Sequence, residues 1–285
     1  MPWFLSFLLL TVLLTAPAFG QQQQPTLQKI KTAKMITLGY RESSFPFSFI
    51  GEDKKPAGYS VDLCTRVADG VKQQLGLGDL SMKWVAVTPE NRITMVTSGT
   101  VDLECGSTTN TLSRQEQVDF SYMTFVDGGS LLVSAEANIA RLSDLAGKRV
   151  AIVPGTTTEK VMAEVLQKAN ITVQMIKVKE HADGLAALEH GGADAYASDR
   201  VILIGLAMTA NDQTRWAISD QYFSYEPYGL MLRRGDADFR LAVNRVLARL
   251  YRSGEIVQVY EQWFGPFKQT STLLKDMYLL HSLPE

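Results

Sequence analysis

Gly99-Thr100-Val101-Asp102-Leu103-Glu104-Cys105-Gly106-Ser107 and Gly191-Gly192-Ala193-Asp194-Ala195-Tyr196-Ala197-Ser198-Asp199 follow one pattern. In each, a glycine closes a helical stretch, an aspartate follows three residues on, a short strand-like run comes next, and a polar residue stands five places past the aspartate. Glycine is a natural helix stop because it takes the left-handed conformation without a Cβ clash. Helix followed by strand in this rhythm indicates a parallel α/β sheet.

The same rhythm extends outward. Met35 to Tyr40 reads as a strand leading into the loop Arg41–Phe47. Ser60 to Leu75 reads as an amphipathic helix with Val61, Cys64, Val67, Ala68 and Val71 on one stripe. Met82 to Val87 is a strand, Thr88 to Ser98 a helix, and Leu103 to Cys105 a strand. A second unit repeats the order: a helical turn at Leu142–Gly147, a strand at Arg149–Val153, and a capped helix from Thr156 to about Lys168. Strands at Val173–Val178 and Ala193–Ser198 then flank a helix opened by His181–Asp183, and Asp238 to Trp263 is mostly helical. In open α/β sheets ligands bind beyond the carboxyl ends of the strands. Two such units facing each other would set Ser107 and Asp199 across one cleft.

Two arginines stand where helix electrostatics disfavours them. Thr88-Pro89-Glu90-Asn91-Arg92 reads as a helix start with Thr88 as N-cap and Pro89 at the first helical position. Ser113-Arg114-Gln115-Glu116 reads as a capping box. Arg92 and Arg114 thus fall in first helical turns, against the positive end of the macrodipole, at a cost of roughly 0.3–1 kcal/mol each. Glu90 and Glu116 are near enough in sequence to pair with them. The alternative is an anion site. Gly106-Ser107-Thr108-Thr109-Asn110 beside Arg114 offers hydroxyls, amides and a guanidinium to a carboxylate. Thr156-Thr157-Thr158-Glu159 supplies a second capped helix start, suited either to simple capping or to an anion.

Asp199 is the available counter-charge for a ligand ammonium. One carboxylate and one ammonium need only Arg114 and Asp199, so Arg92, Arg41 and His181 are surplus. Burying surplus positive charge without a partner is costly. A second acidic group on the ligand is the economical explanation, which points to an acidic amino acid.

The 285 residues carry 46% hydrophobic side chains and a net charge of −2, enough for a sizeable core in one large or two modest domains. Near-neutral charge without a Lys/Arg tract gives no electrostatic case for nucleic acid. Phe4 to Leu14 is an apolar run followed by Ala18-Phe19-Gly20, the pattern of a cleaved export signal over residues 1–20. The run is short of the roughly 20 residues needed to span a bilayer. A soluble, exported product starting near Gln21 is expected. Cys64 and Cys105 are the two cysteines; an oxidising compartment permits a bridge, while burial as small hydrophobes is the commoner fate. The sequence carries no G-x-S-x-G, H-E-x-x-H or P-loop motif and no paired metal-ligand spacing. No cofactor is expected.

From about residue 27 to 267 the chain resembles the bacterial periplasmic amino-acid-binding proteins that serve ABC importers. Tyr40-Arg41-Glu42-Ser43-Ser44, Asn91-Arg92-Ile93, Glu104-Cys105-Gly106-Ser107-Thr108-Thr109-Asn110, Pro154-Gly155-Thr156-Thr157 and Tyr228-Gly229-Leu230-Met231-Leu232 are similar to the glutamate/aspartate-binding branch. The Glu-Cys-Gly-Ser-Thr-Thr-Asn run is the most specific; Gly-Thr-Thr and Tyr-Gly are shared widely among amino-acid binders. The resemblance implies a two-lobed α/β fold of the type II periplasmic-binding kind, each lobe a mainly parallel sheet flanked by helices, joined by two hinge strands. Lobe 1 is expected over 27–126 and again over 226–267, lobe 2 over 127–225, and a C-terminal extension over 268–285. Crossings between lobes are expected near Phe125–Ser130 and Tyr222–Tyr228.

The resemblance also implies roles. Arg114, Thr109 and Thr157 would hold an α-carboxylate, Ser107 and Asp199 an α-ammonium, and Arg41, Arg92 and His181 a side-chain carboxylate. Two departures are Tyr40, where close relatives carry a His, and Pro89, in place of a hydroxyl residue. The implied protein is a periplasmic monomer that closes over L-glutamate or L-aspartate and hands it to an inner-membrane ABC permease. The rival reading is an exported dehydratase-like enzyme on the same fold. It would need an acid or base aimed at the ligand's reacting carbon, and Glu104, inside a strand, is a poor candidate.

Overall fold

The computed structural model describes residues 24–267 and 271–285. The export signal expected at 1–20 lies outside the described residues. Helix α1 (Thr26–Ala33) leads into β1 (Met35–Tyr40), a small sheet of β2 (Ser43–Ser44), β3 (Ser48–Ile50) and β4 (Pro56–Ala57), then α2 (Tyr59–Gln74) and β5 (Ser81–Ala86). Helix α3 (Arg92–Thr97), β6 (Leu103–Glu104) and α4 (Leu112–Gln115) precede the long strand β7 (Val118–Asp127). The second unit holds β8 (Gly129–Ser134), β9 (Arg149–Ile152), α5 (Thr157–Lys168), β10 (Gln174–Lys177), α6 (His181–Glu189), β11 (Ala195–Asp199), α7 (Arg200–Thr209) and β12 (Trp216–Ile218). Strand β13 (Glu226–Arg233) returns to the first unit, followed by α8 (Ala237–Ser253), α9 (Glu255–Phe264) and α10 (Thr272–Leu280).

Two lobes result, each built on a five-stranded mixed sheet. The orders are β5-β1-β6-β13-β7 and β10-β9-β11-β8-β12. Counting β1, β5 and β6 in one and β9, β10 and β11 in the other as first, second and third, the first strand sits between the second and third in both, all three parallel. In both, the fourth strand runs antiparallel to the third and arrives by a crossing from the other lobe: β13 in one, β8 in the other. The chain therefore passes between lobes at Asp127–Gly129 and again just before Glu226.

The pattern that opens the sequence has a physical cause in this topology. Gly99 and Gly191 hold φ of +74° and +69°, the left-handed turn that ends a helix. Asp102 Oδ2 accepts the amide of Thr37 at 2.9 Å, and Asp194 Oδ2 accepts that of Arg149 at 2.8 Å. Each aspartate thus ties the start of the third strand to the start of the first, and both carry a cation: Lys29 on Asp102 and Arg149 on Asp194.

Beneath the crossings lies an aromatic cluster of Phe47, Tyr59, Phe125, Tyr228 and Phe264, with Phe125 packed 4.9 Å from both Phe47 and Phe264. Residues 271–285 complete this lobe. Leu274, Met277 and Tyr278 of α10 are buried, and the Tyr278 hydroxyl lies 2.8 Å from that of Tyr59. Among the described residues no helix is long and apolar enough to cross a membrane.

Cys64 on α2 and Cys105 just past β6 form a disulfide, with Cα atoms 6.1 Å apart. Burial as free thiols, the commoner fate of an isolated pair, is not what the fold gives. Packing of α2 across β1 and β6 brings them together, a tertiary fact that their separation of 41 residues does not encode.

Candidate functional site

Six of the parallel strand ends point their following residues into one cleft. Arg41 follows β1, Arg92 follows β5, Ser107 and Thr109 follow β6, Thr157 follows β9, His181 follows β10, and Asp199 ends β11. All seven line one small cavity between the lobes, together with Thr156, Thr158, Ser198 and Ile202. Arg114 stands directly behind Thr109, donating from Nη1 to its carbonyl oxygen at 2.8 Å. Its Nη2 reaches the Gly155 carbonyl across the cleft at 3.4 Å. The cavity measures about 20 Å³, room for roughly one water. The lobes must part before an amino acid can enter.

The helix starts around the arginines differ in detail from the sequence expectation. Thr88 and Asn91 cap each other reciprocally: the Thr88 amide donates to Asn91 Oδ1 at 2.8 Å and the Asn91 amide to Thr88 Oγ1 at 3.3 Å. Residues 89–91 form a turn, and α3 begins at Arg92. For α4 the cap is Thr111, which accepts from the Arg114 amide at 3.2 Å, so the Ser113–Glu116 capping box is not formed. Thr111 is extended and outranks Ser113 because the helix starts one residue after it, at Leu112. Both arginines remain in first turns. Neither Glu90 nor Glu116 pairs with them; they turn inward instead.

Arg92 is 3% exposed and donates from Nη1 to Thr108 Oγ1 at 2.7 Å; Thr108 in turn donates to Glu104 Oε2 at 2.7 Å. Arg92 Nε has no partner among the described residues. Burial pulls its pKa down to about 9, with repulsion from Arg114 and Arg41 added and attraction to Glu104 and Asp199 opposing. Glu104 is fully buried below the loop, where a Cβ on Gly106 would lie 2.3 Å from its Oε1. It reaches Arg92 only through the Thr108 hydroxyl, attracts it at a distance, and is not among the residues lining the cavity.

Two expectations of surplus positive charge need correction. Arg41 is 1% exposed but pairs with Glu180 at 2.5 Å, a carboxylate contributed by the opposite lobe. His181 is not a cation: burial, then Arg41 and Arg92, hold its pKa well below the ordinary value. Its Nδ1 lies 2.6 Å from the Tyr196 hydroxyl. Burial keeps that phenol protonated, so it can donate to Nδ1 and leave the ring proton on Nε2, a neutral donor.

Asp199 accepts from Thr158 Oγ1 at 3.1 Å and from the Tyr228 hydroxyl. Desolvation, then Glu226 and Asp127, raise its carboxyl well above the usual range. Asp127, half-buried at the first crossing, is pushed up to about 7, chiefly by desolvation. A cation placed beside Asp199 would relieve this acidic cluster.

Glu180, Glu226, Tyr196, Tyr228 and Thr108 surround the site; Thr108, Tyr196 and Tyr228 stand in quoted stretches of sequence, but none of the five was given a role from it. Glu180 had a signal: it precedes His181, and its amide is capped by Asp183 Oδ2 at 3.0 Å. Gly155, at φ +73°, approaches the Pro89 carbonyl of the facing lobe closely enough that a Cβ would lie 3.2 Å from it. Glycine there lets the two walls meet.

A cleft between two α/β lobes with charged groups converging from both is the arrangement of a capture protein. The family model for bacterial extracellular solute-binding proteins, family 3, matches residues 36–266. The chain belongs to this family. It is 40% identical over 264 residues to an L-glutamate/L-aspartate-binding protein of Pseudomonas aeruginosa, covering 92% of this chain and 87% of that one. It is 36% identical over 249 residues to the glutamate/aspartate import solute-binding protein of Escherichia coli K12, covering 87% and 81%. Among solved structures, an ancestral arginine-binding protein bound to glutamine superposes with a TM-score of 0.72 at 28% identity, over 81% of this chain and 98% of that one. These are binding and transport proteins, and this family-3 member is read as a non-catalytic binder of an ABC import system.

Proposed function

We propose that this family-3 protein captures L-glutamate or L-aspartate by closure of its two lobes, in the periplasm after removal of residues 1–20, and as a monomer presents it to an inner-membrane ABC permease. In this reading lobe 1 is 27–126 with 226–267, lobe 2 is 127–225, and 268–285 is a C-terminal extension, of which α10 packs on lobe 1. Arg114, Thr109 and Thr157 hold the α-carboxylate. Ser107 and Asp199 hold the α-ammonium. Arg41, Arg92 and the neutral Nε2 donor of His181 hold the side-chain carboxylate.

Arg92 carries the argument. A guanidinium 3% exposed, bonded to a neutral hydroxyl and with one N–H unpartnered among the described residues, lines the cavity wall. Burying such a cation costs several kcal/mol unless an anion meets it. The relatives named for glutamate and aspartate give the same class of anion. Arg92→Ala is expected to weaken glutamate by about 3 kcal/mol or more, while glutamine loses far less. Equal losses for the two, measured by calorimetry, remove Arg92 from the side-chain carboxylate.

A further inference from the structure

Glu226 opens β13 at the second crossing and is 1% exposed. Its Oε2 accepts two hydroxyl protons, from Thr109 Oγ1 at 2.5 Å and Thr157 Oγ1 at 2.6 Å. Its Oε1 accepts from Ser224 Oγ at 2.6 Å, within the same crossing segment. Thr109 belongs to one wall of the cleft and Thr157 to the other, and their hydroxyl oxygens lie 3.2 Å apart. One carboxylate oxygen therefore bridges the two lobes.

A threonine hydroxyl has a single proton to donate. With both protons spent on Glu226, neither Thr109 nor Thr157 can donate to another acceptor. A ligand carboxylate is acceptor-only and can use these hydroxyls only by taking the protons Glu226 now receives. Arg114, the cation assigned to that same ligand group, already feels Glu226 as its strongest attractive charge. Glu226 thus offers Thr109, Thr157 and Arg114 the chemical group that an incoming amino acid would offer.

We propose that Glu226 is a tethered stand-in for the ligand's α-carboxylate: it latches the empty cleft shut and must release both hydroxyls when the ligand binds. The inference rests on the assignment of Thr109 and Thr157 to the α-carboxylate made above. The thermodynamic consequence is directional. The latch stabilises the closed empty form and not the liganded one, so it lowers the affinity the site would otherwise reach.

The test combines calorimetry with solution scattering on the full mature chain, as wild type, Glu226→Gln and Glu226→Ala. The glutamine variant keeps shape and removes charge; the alanine variant removes the contact outright. Hydrogen bonds to a charged group set the scale, so glutamate is expected to bind about tenfold tighter to either variant. The empty variants should scatter as more open particles than empty wild type, while all glutamate-saturated forms coincide. Unchanged or weaker glutamate binding, or empty variants as compact as wild type, overturns the latch. Weaker binding would instead place Glu226 among groups that orient the threonines toward a ligand donor. If wild type binds neither glutamate nor aspartate, the ligand assignment fails by itself, and the scattering of the empty proteins alone decides whether Glu226 holds the lobes together.

Discussion

The two walls of the cleft share a scaffold and oppose each other in charge. Both sheets place their three parallel strands in the same order, and both fasten the third strand to the first through an aspartate, Asp102 or Asp194. Yet the first wall presents Arg41, Arg92 and Arg114 with Ser107 and Thr109, while the second presents Asp199, Glu180, Thr157 and a neutral His181. Fold and site are separable: the aspartates that repeat are structural, and in the proposed reading the residues at the strand ends, which do not repeat, carry recognition. In the proposed reading an acidic amino acid docks its two carboxylates on the cationic wall, and its ammonium draws the acidic wall over it.

The comparison breaks most sharply at Arg114. Arg114→Ala removes the cation for a group common to all amino acids, so every ligand should lose about 3–5 kcal/mol, beyond calorimetric detection for weak binders. Retained glutamate binding would show that the first wall does not hold the α-carboxylate. Arg41 should matter less than Arg92, because Glu180 already shares its charge across the closed cleft at 2.5 Å. For Arg41→Ala we expect a loss of about 1.5–3 kcal/mol for glutamate. A loss larger than that of Arg92→Ala in parallel titrations would reverse the ranking.

The acidic wall is tested by pH. The Asp199 carboxyl is raised in the empty protein by burial and by its acidic neighbours, so protons are held there that a ligand ammonium would expel. Binding therefore releases protons, and affinity falls as pH drops below the raised empty-state value, by at most about tenfold per pH unit for one proton. Glutamate titrations from the ordinary carboxylate range up to neutral pH, in buffers of different ionisation enthalpy, read this directly. Heats independent of the buffer would mean that Asp199 does not change state. The smallest effect on binding is expected for the Cys64–Cys105 bridge, which lies in one lobe only. Replacing both by serine should lower unfolding free energy by about 4 kcal/mol on the chain-entropy scale for a loop of this length, leaving glutamate affinity within about threefold. A large affinity loss in chemically folded protein would assign the bridge to the Ser107 loop instead.

How far the sequence carried this reading depends on whether a feature is local. The paired Gly-x-x-Asp patterns, the Thr156 cap and the positions past strand ends are local, and each is legible because it follows from backbone geometry within a few residues. Seven of the eleven residues lining the cavity were legible on that basis or through family resemblance. What the second wall adds was not. Glu180 reaches Arg41 and Glu226 reaches Thr157 only because the lobes meet, over separations of 139 and 69 residues, and Glu226 reaches Thr109, 117 residues away, only because β13 returns to the first sheet. The charge on His181 was misjudged for the same reason, since its burial comes from packing with Tyr196. The tail was read only as an extension: Leu274, Met277 and Tyr278 have helical spacing, but the surface they cover belongs to β7 and α8 and is set by tertiary packing.

The central claim is that the cleft is built for an amino acid with two carboxylates. Mature, ligand-stripped protein titrated calorimetrically with glutamate, aspartate, glutamine, asparagine and arginine tests it most directly. The account predicts tight binding, about −8 kcal/mol at micromolar affinity, for the two acidic amino acids and recovery of each ligand unchanged. Preference for glutamine, asparagine or arginine would contradict the roles given to Arg41 and Arg92, and chemical conversion of a ligand would contradict the binder itself.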